Sequence, residues 1–569
     1  MRRSSPAILA LLLFLSFMDF SAIAFAGPGS VVIKTDGDIT ATFGGQVRVI
    51  PTYEQNWDFG ISKTNTAFAK SANGRVFLNH LTEAGVVSSA YIRSEDRLYF
   101  NFAKGDLWDV YMALEWDDVV SGRTSDRVHA VQGDFDSFGL ERLNASIKLP
   151  WISSRFHAGW DIYGVDTDTA ILVYADDDPG FWLKGGVANF DWQFGYHKKD
   201  ESNRRILQPS IGLPGNPPGT PPPGVVTPTA VTNTGYDNDR DIYSARINFS
   251  PTKDIKLGLL YTFDHMAMRF LLPGGDPCTL QALPPPLQGI GNPCPKVNSH
   301  HIGPVVTANI AGFKFTGQYV HQFGEARNTG IVTNPALQNG NYDISAHAVL
   351  ADLAYDLSPW AGFRLIPHIG AIWTSGDDDP NDNTLGGYVA NVSGQRFTPI
   401  FGGENTILGD FNLVVGTNLY SFLPGLRGNQ HSGLGTGGLI SNDRGDNPGL
   451  LLVGGGVTVA PLKNVVYRTN AFYLRYDEKP CVNFGEVPVL SLPARCPNAN
   501  PNSGIIGSRD IGVEWDNEVM VFLDKNMVVK GQFSFLFPGD AIKDVTRNTV
   551  GQAVDETAIR LALEFLWNF

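Results

Sequence analysis

The last eleven residues, from Ile559 to Phe569, alternate between apolar and polar side chains with a period of two. The apolar set is Ile559, Leu561, Leu563, Phe565, Trp567 and Phe569, and the polar set is Arg560, Glu564 and Asn568. Because successive side chains of a strand point to opposite faces, this segment predicts a strand with lipid on one side and water on the other. A strand of a soluble β-sandwich would alternate in the same way, so this pattern alone leaves both architectures open.

The first 26 residues have the composition of a secretory signal peptide. Arg2 and Arg3 precede an apolar run from Ala7 to Phe17, and Ala24-Phe25-Ala26 has the small-x-small spacing of a cleavage site. The apolar run is shorter than the about 20 residues that a membrane-spanning helix needs. We therefore predict residues 1–26 as a cleaved signal peptide and residues 27–569 as a single exported domain.

Short turns and long connections alternate along the whole chain. The short polar or Gly/Pro turns lie near residues 102–107, 149–154, 187–190, 250–254, 310–313, 357–361, 460–464 and 523–526. The longest connections lie near residues 199–240, 265–301, 374–450 and 477–507. Such a series of short turns predicts about 18 strands, within a range of roughly 16 to 20.

This asymmetry is typical of bacterial outer-membrane barrels, whose periplasmic turns are short and whose external loops are long. A two-sided soluble sandwich has no reason for it. The predicted fold is therefore all-β: a transmembrane, antiparallel, up-and-down β-barrel surrounded by the lipid of a Gram-negative-type outer membrane. The terminal residues Phe565, Trp567 and Phe569 are then interpreted as the signal that the barrel assembly machinery reads.

The long connection near residues 374–450 carries a motif. Residues 374–382 read Thr-Ser-Gly-Asp-Asp-Asp-Pro-Asn-Asp, and the segments Phe-Thr-Pro-Ile-Phe at 397–401 and Gly-Asp-Phe at 409–411 follow. These segments resemble the signature of the alginate export family of outer-membrane porins. The resemblance implies an outer-membrane channel of about 18 strands; it does not imply the transported substrate.

The same motif crowds four carboxylates, Asp377, Asp378, Asp379 and Asp382. Such oxygen ligands could bind a hard cation such as Ca²⁺, and we predict no other cofactor. The alternatives are a solvated acidic turn at a strand end, or ion pairs between these carboxylates and arginines inside the barrel.

Assigning faces by the alternation directs a set of charged side chains to the barrel interior. The candidates for the pore lining are Arg93, Glu95, Arg97, Arg142, Arg155, Arg246, Arg364 and Arg468. Because side-chain charges set the ion preference of a pore, this lining predicts a modestly basic lumen that favours anions. The alternative is that these charges pair across neighbouring strands and neutralise one another.

The four cysteines form two local pairs, Cys278 with Cys294 and Cys481 with Cys496, each in a Pro-rich stretch. In an oxidising compartment they predict two disulfides that each close a loop. Neither pair has the C-x-x-C spacing of a zinc or redox site. The sequence also has no C-x-x-C-H motif for haem attachment.

The predicted function is a channel for passive diffusion or export of small hydrophilic solutes, anions and oligosaccharides included. The sequence has no G-x-x-x-x-G-K-[ST] loop for a nucleotide, and with a formal net charge of -14 we expect no nucleic-acid partner. An alternative is a structural sleeve or docking partner for an outer-membrane complex such as a multihaem cytochrome conduit. An enzyme is less favoured, because no histidine accompanies a G-x-S-x-G nucleophile motif.

Three points stay open at this level. The chain is compatible with a monomer or a homo-oligomer and with a periplasmic or surface partner. The adjacent histidines His300 and His301 could ligate a metal, although an interfacial pair is the commoner arrangement. The connection at 374–450 could extend outside the barrel or fold into its lumen.

Overall fold

A computed structural model describes residues 30–56, 59–60, 88–120, 139–167, 169–176, 178–201, 239–267, 296–327, 341–379, 382–391, 448–479, 481–483, 503–505, 507–544 and 553–569. Most of these residues lie in long strands, because apolar and polar side chains alternate there with the period of a strand. Within this part of the chain, eighteen strands form one large sheet: β1 (Ile39–Gln55), β2 (Ser88–Lys104), β3 (Trp108–Val120), β4 (Gly139–Leu149), β5 (Ser154–Trp160), β6 (Pro179–Val187), β7 (Phe190–Glu201), β8 (Asp239–Thr252), β9 (Ile255–Ala267), β10 (Lys296–Ile310), β11 (Phe313–Arg327), β12 (Tyr342–Tyr355), β13 (Arg364–Thr374), β14 (Leu450–Leu462), β15 (Val465–Arg475), β16 (Asp510–Phe522), β17 (Met527–Pro538) and β18 (Ala558–Asn568).

The sheet closes on itself. Each strand pairs antiparallel with its neighbours in the chain, and β1 pairs with β18 from Gln46 opposite Asn568 to Gln55 opposite Ile559. The predicted up-and-down barrel of about 18 strands is therefore confirmed. Every predicted short turn joins an even-numbered strand to the next odd-numbered one. The long connections differ from prediction by a few residues only, since β7 continues to Glu201 and β10 begins at Lys296.

The two faces of the sheet differ in polarity. The exposed apolar side chains of β18 are Leu561, Leu563, Phe565 and Trp567. Glu564 on the opposite face is buried. In a closed barrel the exposed apolar face is the outer one, so it forms a lipid-facing band around a polar interior. A closed barrel satisfies its backbone hydrogen bonds within a bilayer, and this protein is a barrel of the bacterial outer membrane.

The seam between the first and last strands is closed by the carboxyl-terminal residue. The backbone N–H of Gly45 donates to the Phe569 carbonyl at 2.8 Å, and the Phe569 N–H donates to the Gly45 carbonyl at 2.9 Å. The Phe569 ring packs against Phe43, with centroids 6.2 Å apart, and against Trp567 at 6.0 Å. A Cβ at position 45 would lie 2.3 Å from this ring, so a larger residue there would displace the ring.

Two external connections fold back into the barrel. We name them the first inner loop (the described residues between 161 and 178) and the second inner loop (the described residues between 375 and 391). Their side chains Tyr163, Leu172, Tyr174 and Tyr388 are buried in one apolar cluster with inward-facing residues of the barrel wall. The interior of this barrel is therefore partly packed.

Short elements complete the described structure. Within the inner loops, Tyr163–Gly164 pairs with Ala175–Asp176, and Thr384–Leu385 runs parallel to β12. Cys481–Asn483 pairs with Ser503–Ile505. An amino-terminal strand, Val31–Asp36, pairs with β1. No helix in the described residues has both the length and the apolar character needed to cross a bilayer.

Candidate functional site

A continuous row of charged side chains crosses the inner wall from β17 through β18 and β1 to the end of β5. We name this row the charge ladder. Its members are Lys530, Glu564, Arg48, Arg93, Glu95, Arg97, Glu115, Asp117, Glu141, Arg142 and Asp161. The alternation of each strand brings these residues to one face, and the pairing of neighbouring strands brings opposite charges together.

Arg48 on β1 connects the two ends of the chain. Its guanidinium lies 2.5 Å from the Glu95 carboxylate on β2 and 3.1 Å from the Glu564 carboxylate on β18. The Lys530 ammonium on β17 reaches Glu564 as well, at 2.8 Å. These side chains are largely buried, and a buried charge is tolerated only when it is paired.

Arg97 on β2 contacts three carboxylates. It lies 2.6 Å from the Glu95 carboxylate and 2.9 Å from the Glu141 carboxylate, and it also contacts Glu115. Arg93, two residues before Glu95 on the same face, pairs with Asp117 at 2.6 Å. The three charged residues that sequence alternation placed on one face of this strand thus lie in one ion-pair network.

A β-bulge extends the network onto β4. Ala113 of β3 pairs with Arg142, the next residue Leu114 pairs with Leu140, and Glu141 is left without a register partner. Glu141 and Arg142 therefore both reach the lumen, where their side chains are 2.9 Å apart. Arg142 also approaches Asp161 at 3.8 Å, which joins the ladder to the first inner loop.

The ladder contains five cations and six carboxylates, so its formal charge is one negative. Every one of its arginines lies within 4 Å of a carboxylate. Of the arginines predicted to make the lumen basic, Arg93, Arg97 and Arg142 are therefore each paired with a carboxylate. This wall therefore presents alternating positive and negative side chains to the lumen, and their net charge is small.

The opposite wall, from β7 to β11, is covered by the inner loops. Arg246 of β8 donates to the carbonyls of Val165 at 3.0 Å and Asp166 at 2.6 Å. The Asp166 carboxylate accepts a hydrogen bond from the Gln318 side chain of β11 at 2.6 Å and from the Tyr174 N–H at 2.7 Å. Arg246, a predicted lining residue, therefore anchors the first inner loop.

The second inner loop is fastened to the same wall and to the first loop. The Tyr388 hydroxyl donates to the Leu172 carbonyl at 2.7 Å, and the Asn391 N–H donates to the Val173 carbonyl at 2.9 Å. Arg240 of β8, paired with Asp264 at 2.6 Å, donates to the Asn391 carbonyl at 2.8 Å. The His301 ring and the Gln322 side chain contact the backbone of Val389.

The remaining predicted lining residues lie near the periplasmic end. Arg155 pairs with Asp109 and with Asp106, each at 2.7 Å. Its partner Asp106 sits in the periplasmic turn, where Lys148 and then Arg155 hold the pKa of the carboxyl below its usual range. Arg468 pairs with Glu518 at 3.1 Å, whereas Arg364 is exposed at the start of β13.

Two of the four aspartates in the predicted cation loop contact backbone N–H groups of the same loop. Asp377 is buried, with one carboxylate oxygen 3.4 Å from the Gly386 N–H, and Asp382 accepts from the Thr384 N–H at 2.6 Å. Among the described residues, no group of three or more Asp, Glu, His or Cys side chains is arranged to hold a metal ion. The Ca²⁺ site stays a prediction.

Two further predictions can be placed. His300 and His301 lie within β10 and point to opposite faces: His300 contacts the Tyr261 hydroxyl, and His301 contacts Val389 inside the barrel. They cannot share a metal ion. Cys278, Cys294 and Cys496 lie outside the described residues, and only the backbone of Cys481 is described, so the disulfides stay predictions.

Arg48 and Glu141 are two ladder members that the sequence analysis did not assign to the lumen. Arg48 carried a usable signal, because Gln46, Arg48, Thr52 and Glu54 alternate with Val47, Val49 and Tyr53. Glu141 carried no such signal, because simple alternation places Glu141 on the lipid face when its neighbour Arg142 faces the lumen. Only the bulge, which depends on the pairing with β3, brings both side chains inward.

Comparison with known proteins yields structural similarity only. The sequence matches no family model and no curated relative. Salmonella typhi OmpF in complex with daunomycin is 8% identical and has a TM-score of 0.36, with 95% of this chain and 100% of that chain covered. Pseudomonas aeruginosa OpdK is 9% identical over 93% and 98% of the two chains, with a TM-score of 0.40. Pseudomonas aeruginosa OpdQ is 11% identical over 94% and 98%, with a TM-score of 0.39. The function of this chain has to be argued from its own lumen.

Proposed function

We propose that this protein is an outer-membrane channel through which small hydrophilic solutes diffuse passively. The observation that carries the proposal is the charge ladder, which lines one wall of the lumen opposite the two inner loops. Charged side chains on an inner wall favour a water-filled passage, since a dry barrel interior is filled by apolar packing.

The position of the passage follows from the packing of the inner loops. Both loops are hydrogen-bonded to the wall from β7 to β11, through Arg240, Arg246 and Gln318 among others. They narrow the lumen from that side. Solutes then move along the remaining wall, with the ladder as their polar surface and Asp161 at the junction of ladder and loop.

The solute class follows from the charge balance. Because the ladder arginines are paired with carboxylates, we expect weak discrimination between anions and cations. Solutes that exchange many hydrogen bonds with such a surface, such as sugars and zwitterions, suit it best. Small oligosaccharides belong to the same class of solutes.

The test is single-channel recording on the refolded full-length protein in planar bilayers, combined with swelling of protein-containing liposomes in neutral and charged sugars. We expect a stable unitary conductance, a small reversal potential in a salt gradient, and similar swelling rates for neutral and charged sugars of equal size. A folded, heat-modifiable barrel without conductance would overturn the proposal. A strong preference for anions would retain the channel and refute the weak selectivity.

A further inference from the structure

Lys184 on β6 is a cation of the lumen that lies outside the charge ladder. It follows the buried Trp182 by two residues on the inner face, and its side chain is half-buried. Its ammonium nitrogen lies 5.5 Å from the centroid of the Tyr163 ring in the first inner loop. Among the described residues, no carboxylate or other acceptor lies within ion-pair or hydrogen-bond distance of this ammonium group. A cation–π contact leaves its three N–H donors available.

Lys184 belongs to a level of the wall that is rich in donors. Strand pairing places Arg155 of β5 opposite Lys184 on one side and Gln193 of β7 on the other, and Arg246 of β8 lies opposite Gln193. Arg155 pairs with two carboxylates, whereas Gln193 and Arg246 donate to backbone carbonyls of the first inner loop. Lys184 is therefore the side chain of this level whose donors a solute can use.

A carboxylate of the ladder lies near Lys184 without pairing with it. Asp161, at the end of the ladder, attracts Lys184 electrostatically, but the two groups form no ion pair. The Asp161 carboxylate accepts hydrogen bonds from the Asn144 side chain at 2.6 Å and from the Ile162 N–H at 2.8 Å. Its side chain is 26% exposed, so part of the carboxylate still faces the lumen. The wall thus presents a cation and a carboxylate side by side, with a gap between them.

Both charges are held in place by their own supports. The Tyr163 ring beside Lys184 is fully buried, and its hydroxyl accepts a hydrogen bond from Ser244 at 3.2 Å. Asp161 is held by its two hydrogen bonds to neighbouring residues. Groups that are already in position lose little freedom when a ligand binds. The two charges are therefore preorganised for a ligand that spans the gap.

We infer that Lys184 and Asp161 form a binding point for small zwitterions, such as α-amino acids, on the path along the charge ladder. The carboxylate of the solute accepts from the Lys184 ammonium group, and the ammonium group of the solute donates to Asp161. Charge-assisted hydrogen bonds of this kind are about twice as strong as neutral ones. A solute with a single charge forms one of these contacts, and an uncharged solute forms neither. The inference rests on the proposed channel function and narrows its solute class.

The test is the uptake of labelled solutes by liposomes that contain the full-length protein, over a range of outside concentrations, with protein-free liposomes as the background. Alanine is compared with lactamide, an uncharged molecule of nearly the same size. We expect alanine uptake to saturate, because a binding point can be filled, and lactamide uptake to rise in proportion to concentration. Lactate keeps only the carboxylate and alaninamide only the ammonium group. Each should half-saturate at a concentration at least about fivefold higher than alanine, because one charged hydrogen bond is lost.

Three variants assign the effect to the two side chains. Lys184→Met should raise the half-saturating concentration of alanine about tenfold and leave lactamide uptake unchanged, whereas Lys184→Arg should keep saturation. Asp161→Asn should raise the half-saturating concentration of alanine but not that of lactate. Lys256→Met is the matched control, because Lys256 also lies on the inner wall but pairs with Asp191 at 3.1 Å. It should take up alanine as the wild type does.

Proportional uptake of alanine by the wild type would overturn the inference. Equal half-saturating concentrations for alanine and lactate would do the same, as would an unchanged value in Lys184→Met. If neither alanine nor lactamide enters the liposomes, the proposed channel function fails, and the binding point fails with it. If lactamide enters but alanine uptake does not saturate, the channel stands and only the binding point fails.

Discussion

At the scale of single residues, the ladder is a case of charges that stabilise one another across the closing seam. Arg48 and Glu564 are 516 residues apart in sequence, yet they form a hydrogen bond of 3.1 Å. Glu564 is almost fully buried, so its charge depends on Arg48 and Lys530. Removal of one partner from such a buried pair leaves a charge without compensation, which costs more than the pair itself contributes.

We expect Arg48→Ala to lower the free energy of unfolding of the barrel by about 3 kcal/mol, because Glu95 and Glu564 lose their shared cation. The measurement is urea-induced unfolding in detergent, followed by loss of heat-modifiable mobility. Arg364→Ala is the control, since Arg364 is exposed and its loss should cost no more than about 0.5 kcal/mol. Equal losses in both variants would contradict the structural role of Arg48.

Glu141 is expected to control ion preference. Glu141→Gln removes one negative charge next to Arg97 and Arg142, so the ladder becomes neutral and locally basic. We expect the anion-to-cation permeability ratio to rise by about twofold or more, since a unit charge in water is worth on the order of 1 kcal/mol at contact distance. Reversal potentials in a salt gradient measure it.

The matched control for this variant is Glu325→Gln, the same chemical change at the outer end of β11, outside the ladder. Its reversal potential should equal that of the wild type. If Glu141→Gln also leaves the reversal potential unchanged, the ladder does not line the conducting path.

At the scale of elements, the two inner loops behave as one unit fixed to one wall. The first inner loop is fastened by Arg246 and Gln318, and the second by Arg240 and His301. The two loops are joined to each other by the Tyr388 hydroxyl. Because these hydrogen bonds are buried or half-buried and each contributes separately, loss of one should loosen the loops without unfolding the barrel.

Tyr388→Phe tests this coupling. The variant keeps the buried ring and removes the donor to the Leu172 carbonyl, which should weaken the loop contact by about 1 kcal/mol. We expect amide exchange at Val173 and Asn391 to accelerate about fivefold while the barrel strands keep their protection. Tyr355→Phe serves as the control, because Tyr355 lies at the end of β12 against Phe313, away from the inner loops. This variant should change the amide exchange of neither Val173 nor Asn391. Acceleration in both variants, or in neither, would show that the hydroxyl does not join the loops.

At the scale of the whole molecule, closure of the barrel depends on the carboxyl terminus reaching β1. Phe569 forms two backbone hydrogen bonds with Gly45 and places its ring directly over that glycine. The aromatic terminus thus has a structural function in the seam, in addition to its predicted reading by the assembly machinery.

We expect Gly45→Ala to reduce the yield of closed barrel severalfold, because the added Cβ would lie 2.3 Å from the Phe569 ring. Gly531→Ala is the matched control, since a Cβ there meets nothing within 4 Å. The fraction of heat-modifiable protein after refolding measures both. A full yield for Gly45→Ala would mean that the seam tolerates displacement of the terminal ring.

Comparison of particular elements shows where prediction from sequence succeeds. Alternation predicts Arg93, Glu95 and Arg97 on one inner face, and this prediction holds because the register of β2 is regular at these positions. Arg246 was assigned to the lumen in the same way, but its contact with the backbone of the first inner loop could not be foreseen. The loop itself has no periodic pattern that would mark it as inward.

The number of strands, their faces and the side of the short turns were determined by the sequence itself, because side-chain alternation and turn length are local properties. The partners of each charge were decided by the tertiary structure, since closure joins Arg48 to a residue near the other end of the chain. The bulge at Glu141 and the inward course of the loops depend on contacts between strands and loops far apart in sequence. Such contacts exist only once the barrel has formed, which is why the lumen's charge balance could not be derived from alternation alone.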